Sequence, residues 1–143
     1  MRRAKQSSKG KSKLGRVLVV EDDPLQAVAL QSALLDAGAA EVVLCPSIAE
    51  TMLALEEGES DAVVLDVHLA DRDDGWALAE LVDLLGPKRP RIVFSTGSPE
   101  EIPPEIGEFG PIFEKPYDPA QLAEVLAGDA KPGLFARLRD VIS

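Results

Sequence analysis

Apolar positions along the chain fall into short continuous runs, separated by longer stretches with helical spacing. The first run is Arg16-Val17-Leu18-Val19-Val20. Four adjacent aliphatic residues without polar alternation suit a parallel strand buried on both faces. Two acids and Pro24 follow, and proline is favoured in the first turn of a helix. That helix is expected to reach about Ala37 and stop at Gly38, because glycine readily takes the turn that closes a helix. Residues 41–44 read as a second strand. Pro46 and Ser47 open a second helix that runs to about Glu57, with Gly58 as its stop. Ala62-Val63-Val64-Leu65 is the third strand, residues 66–74 a polar loop, and residues 76–85 a helix ended by Gly86-Pro87. Arg91-Ile92-Val93-Phe94 is the fourth strand and Pro111-Ile112-Phe113 a short fifth. Asp118 caps a last helix through Leu126, with Pro119 at its first position.

Repeated strand–helix alternation predicts an α/β fold: a parallel sheet covered by helices on both faces. In open sheets of this kind ligands bind beyond the carboxyl ends of the strands. The stretch from Thr96 to Lys115 holds Pro99, Pro103, Pro104, Gly107, Gly110 and Pro111. Proline inside a helix costs about 3 kcal/mol, so a short or broken helix is expected there. The first helix has apolar residues on two sides. Leu30, Ala33, Leu34 and Ala37 can face the sheet, while Leu25, Val28 and Leu35 fall on another face. That second face calls for a cover. One cover is a partner, such as a helical bundle or a second copy of the chain in a homodimer. The other is the chain's own C-terminus, where Leu134, Phe135, Leu138, Val141 and Ile142 recur at helical spacing after Lys131-Pro132-Gly133.

The length of 143 residues fits one domain with short extensions. Residues 16–127 form that domain, 1–15 a basic disordered tail, and 128–143 an extension with a short amphipathic helix. Hydrophobic residues make up 45% of the chain but aromatics only 4%, so aliphatic side chains must build the core. No apolar run approaches the roughly 18 residues of a membrane span. The charged N-terminus lacks the hydrophobic region of a secretory signal. Cys45 is the only cysteine, so no internal disulfide can form, which suits a reducing compartment. A soluble, cytoplasmic protein is expected. Seven of the 15 basic residues lie in the first 16 positions, leaving eight against 25 acids in the remainder. A body that acidic repels nucleic-acid phosphate. The tail reads either as a solvated arm or as a contact for nucleic acid or acidic lipid.

The chemically distinctive residues stand at the strand ends. Glu21 and Asp22 follow the first strand, Asp66 the third, Ser95 and Thr96 the fourth, and Lys115 the fifth. If the first and third strands are neighbours, Glu21, Asp22 and Asp66 converge, and carboxylates brought together repel one another unless a cation intervenes. An all-oxygen set with few protein ligands suits Mg²⁺. One histidine and one cysteine argue against zinc. Taken singly, each acid also reads as a solvated loop residue, and Asp22 and Asp23 before Pro24 as helix caps.

Four segments together resemble the response-regulator receiver family, and the resemblance spans residues 16–127. They are Val17-Leu18-Val19-Val20-Glu21-Asp22-Asp23-Pro24, Asp61-Ala62-Val63-Val64-Leu65-Asp66-Val67-His68-Leu69, Ile92-Val93-Phe94-Ser95-Thr96-Gly97 and Phe113-Glu114-Lys115-Pro116-Tyr117. The resemblance implies a doubly wound, flavodoxin-like (CheY-like) sheet of order 2-1-3-4-5. It also implies that Asp66 accepts a phosphoryl group from a histidine kinase or a histidine phosphotransfer protein. Asp22, Asp66 and the backbone carbonyl of His68 would bind Mg²⁺ directly, and Glu21 through a water. Thr96 would donate to the acyl phosphate, Lys115 would pair with it, and the Lys115–Pro116 bond would be cis. The His68 side chain reads either as a bystander or as a group that tunes hydrolysis, and Ser98 is placed to do the same. The Phe94-Ser95-Thr96-Gly97 stretch is similar to a Phe-x-Thr-Gly variant of alphaproteobacterial single-domain receivers.

One position departs from the family pattern. Three residues before the fifth-strand lysine, where the family often has an aromatic switch, stands Ile112. The expected function is a stand-alone switch, with no DNA-binding output domain and an output protein that remains to be named. A turnover enzyme is not expected, because Asp66-Val67-His68 lacks the second aspartate of aspartyl-phosphate phosphatases. A flavin site is disfavoured by the acids after the first strand. The alternative is a receiver-like scaffold that binds without being phosphorylated.

Overall fold

The computed structural model describes residues 14–66 and 90–128. Most of the expected tail, the 67–89 segment with His68 and the 76–85 helix, and the C-terminal extension from residue 129 onward lie outside the described residues. Five strands form one sheet: β1 Arg16–Val20, β2 Glu41–Cys45, β3 Ala62–Asp66, β4 Arg91–Thr96 and β5 Ile112–Glu114. Their order is β2-β1-β3-β4-β5, and every pair is parallel. The continuous apolar runs follow from this arrangement, since alternate residues enter two separate cores. Leu18, Val20, Val63, Leu65, Ile92 and Phe94 pack on one face. Val17, Val19, Ala62, Val64 and Val93 pack on the other. Leu14, assigned by sequence to the basic tail, is already buried in the second core, where an apolar side chain leaves water.

Strands three and four run further than their apolar stretches. Asp66 pairs with Ser95, and Thr96 with Glu114, so ladder hydrogen bonding carries the strands into the polar residues. The sheet therefore delivers Asp66 and Thr96 directly, with no intervening loop.

Helix α1 spans Pro24–Asp36. The Asp23 carboxylate accepts from the Leu25 N–H at 3.0 Å, and Gly38 takes a φ of 110° just past the end. Ala27, Leu30 and Leu34 are buried against the sheet. The opposite stripe stays in solvent, with Leu25, Val28 and Leu35 at 82%, 53% and 47% exposure. Helix α2 spans Ile48–Glu57, and Ser47 Oγ caps it by accepting from the Glu50 N–H at 3.1 Å. Its last turn carries no basic residue. Arg16 on β1 supplies the charge instead, donating to the carbonyls of Ala54 and Gly58 at 3.1 and 3.2 Å. A cation there complements the negative end of the helix dipole.

Between β4 and β5 the prolines have the expected effect. Pro99–Glu101 forms a single 3₁₀ turn, and α3 is only Pro104–Gly107. Ile102 and Ile106 are nonetheless buried and close the core under β4. Gly110 lets this segment return to the sheet, because a side chain there would collide with the Ile92 carbonyl oxygen. Gly110→Ala should lower the stability by about 1–3 kcal/mol, the usual cost of overpacking, read as a shift in the urea midpoint. Helix α4, Pro119–Leu126, follows with Asp118 Oδ1 accepting from the Ala120 N–H at 3.0 Å. It packs against α1, and Arg91 donates to its Leu126 carbonyl at 2.6 Å.

Candidate functional site

All the described strand-end residues singled out from the sequence gather at the carboxyl edge of β1, β3, β4 and β5. Strands β1 and β3 are neighbours, so Glu21 and Asp66 emerge side by side. One carboxylate oxygen from each of Glu21, Asp22 and Asp66 lies within 4.8 Å of the others. Glu21 and Asp66 are buried, and Asp22 lies on the more open side. Lys115 crosses from the loop after β5. Its Nζ donates to Glu21 Oε1 at 3.1 Å and to Asp66 Oδ2 at 3.3 Å. The loop is fixed from below by the Lys115 N–H, which donates to the Thr96 carbonyl at 2.8 Å. The Lys115–Pro116 bond is cis, as the resemblance implied. The Thr96 hydroxyl oxygen accepts from the Ser98 N–H at 3.0 Å, so its own hydrogen can be donated to another acceptor.

The electrostatics follow from burial and crowding. Desolvation pushes the Glu21 carboxyl above the usual carboxylate range, and the negative Asp66 beside it adds to the rise. The Asp23 N–H at 3.1 Å and the Lys115 ammonium act against this without cancelling it. Desolvation alone would lower Lys115. The charge of Asp66, with the hydrogen bond and charge of Glu21, outweighs it and raises Lys115 above its ordinary 10.5. A lysine with a raised value stabilises the fold fully below that ordinary value and loses the contribution as pH climbs through the folded one. In metal-free buffer, the gap in urea midpoint between the wild type and Lys115→Met should therefore be wide at neutral pH. It should narrow above pH 10.5.

Three convergent carboxylates form an all-oxygen donor set, which fits a hard divalent cation such as Mg²⁺. Glu21, Asp22 and Asp66 are the described residues that would hold it. The backbone carbonyl of His68, the remaining expected ligand, lies outside the described residues.

Comparison with known families matches residues 17–127 to the response regulator receiver domain. The chain belongs to this family. Among solved structures, a CheY-like receiver domain from Methylobacillus flagellatus is 26% identical with a TM-score of 0.69, covering 82% of this chain and 99% of its own. A CheY-like receiver from Methanospirillum hungatei JF-1 is 22% identical with a TM-score of 0.66, covering 89% and 98%. The receiver domain of the Erythrobacter litoralis response regulator PhyR is 23% identical with a TM-score of 0.68, covering 79% and 87%. No curated protein matches the chain. The sheet order and helix placement of this receiver are those of the flavodoxin-like, CheY-like fold. Among its described residues, no helix is long and apolar enough to cross a membrane.

One contact in the receiver was not anticipated. The Tyr117 hydroxyl lies 2.7 Å from Ser95 Oγ, and its ring meets Phe113 edge-on at 5.5 Å. Burial raises its phenol. This pair ties the end of β4 to the loop that carries Lys115. Tyr117 is the only tyrosine and stands two residues after Lys115, which is the signal that could have marked it. Ile112 is half-buried against the core under Phe94, where it packs as an aliphatic residue.

Proposed function

We propose that this receiver is a phosphorylatable switch in which Asp66 accepts the phosphoryl group. One observation carries the reading. The buried Asp66 carboxylate is held by the Lys115 ammonium at 3.3 Å, inside a group of three acids whose oxygens lie within 4.8 Å. A bare cluster of this kind is self-repelling, so its geometry makes sense as a cation site beside a nucleophile.

In the proposed reaction an Asp66 carboxylate oxygen forms the new P–O bond while the P–N bond of a donor phosphohistidine breaks. The phosphoryl group arrives from a histidine kinase or a histidine phosphotransfer protein. Lys115 offsets charge on the transferring group and orients the Asp66 carboxylate. Thr96 donates its hydroxyl hydrogen to a phosphoryl oxygen. Asp22, Asp66 and the His68 carbonyl would ligate Mg²⁺, with Glu21 acting through a water. When bound, the ion neutralises charge on the phosphoryl oxygens. Almost all of the catalysis in such a site is positioning and charge compensation.

The protein would act in the cytoplasm as a switch read by an output protein or as a phosphate relay. It would not be an enzyme that turns over a free substrate. Incubation with acetyl phosphate and Mg²⁺ tests this, with the phosphoprotein followed by gel shift or intact mass. A phosphoprotein is expected with both reagents and none with Mg²⁺ chelated. No phosphoprotein from the wild type under any donor would instead support a binding scaffold.

A further inference from the structure

The hydrogen bond between Ser95 and Tyr117, 2.7 Å between hydroxyl oxygens, has no part in the chemistry proposed for Asp66. We propose that these two side chains are a positioning pair: their bond sets where the Lys115 ammonium stands against Asp66, and so how fast Asp66 is phosphorylated. The inference rests on Asp66 being the acceptor.

Lysine carries its charge on a flexible four-carbon stem, so the charge stays in place only if the backbone beneath it does. On one side the Lys115 N–H donates to the Thr96 carbonyl at 2.8 Å. On the other side stands Pro116, which has no N–H to donate. The next hold is the Tyr117 side chain, with its hydroxyl on Ser95 and its ring edge-on to Phe113 at 5.5 Å. Adjacent residues of β4, Ser95 and Thr96, therefore grip the chain on both sides of the ammonium.

Ser95 is also the β4 residue that pairs with Asp66 on β3 and with Phe113 on β5. Paired residues of neighbouring strands put their side chains on the same face of the sheet. A short path thus runs from Asp66 across Ser95 to Tyr117, and back two residues to Lys115. Packing alone does not complete it. Tyr117 lines a cavity of about 400 Å³ together with Gln26, Leu30, Lys115 and Pro116, so an untied ring has room to move. Ser95 is buried at 1% exposure, where a hydroxyl without a partner is costly, and that cost keeps the bond closed.

Ser95→Ala, Tyr117→Phe and the double variant test this in the full chain. Each is incubated with acetyl phosphate and Mg²⁺, and the rate of phosphoprotein formation is followed by intact mass. Urea midpoints are measured alongside. Each single change strands one buried hydroxyl, so the midpoint should fall. The double change strands none and should regain most of that loss. The rate should nonetheless drop about fivefold or more in all three, because a displaced ammonium no longer meets the transferring group in place. A double variant that regains the wild-type rate along with its stability would make the pair a packing feature and overturn the proposal. Wild-type rates in both single variants would also overturn it, while leaving Asp66 the acceptor. Mg²⁺ affinity by calorimetric titration should stay within about twofold, and a loss of about tenfold would assign the slowing to the metal and refute the pair. A wild type that takes up no label would sink the acceptor reading and this inference with it.

Discussion

Asp66→Asn should take up no phosphoryl group under conditions that label the wild type to completion, a loss on the order of 10³-fold or more. The amide has nearly the shape of the carboxylate, so packing around this buried residue is preserved. It lacks the anionic oxygen that would attack phosphorus. The change also removes one of three carboxylates from the acidic cluster, and Mg²⁺ affinity by calorimetric titration should fall about tenfold or more. Lys115 keeps its 3.1 Å contact with Glu21, so the loop after β5 should hold its place. With one negative neighbour gone, the Glu21 carboxyl should move back toward its ordinary value, although burial still holds it up. Labelling of the variant at the wild-type rate would place the acceptor elsewhere.

Phe94→Ala should destabilise the fold by about 3–5 kcal/mol in urea or thermal unfolding. Phe94 is fully buried in β4, between Leu65 on β3 and Ile112 on β5. Its ring packs in the same core as Ile102 and Ile106, and the chain between β4 and β5 is too rich in proline to fill the void with a longer helix. A loss of that size is a large share of the roughly 5–15 kcal/mol that holds a domain together. The site should suffer as well, because Thr96 lies two residues further along the same strand. A variant as stable as the wild type would mean that the Ile102–Ile106 segment collapses into the gap.

The four site segments were readable because each is local. An apolar run ends where its strand meets water, so the polar residues after Val20, Leu65, Phe94 and Phe113 mark the carboxyl edge of the sheet, where the candidate site gathers. Caps were equally legible, since Asp23, Ser47 and Asp118 bond only two or three residues onward. Other contacts were not legible. Ser95 and Tyr117 meet across 22 positions, and no local periodicity encodes such a pair. The α2 and α4 C-termini take their compensating arginines from strands 38 and 35 positions away.

Hydrophobic spacing and turn residues along the chain thus decided which segments become strands and helices, because those preferences act within a few bonds. They also placed Asp66, Thr96 and Lys115 at strand ends. Bringing Glu21 and Asp66 together required β1 to pair with β3 rather than only with β2, a matter of how the whole sheet buries its two faces. The same global packing left Leu25, Val28 and Leu35 outside, because α1 has one face for the sheet and can hide only that one.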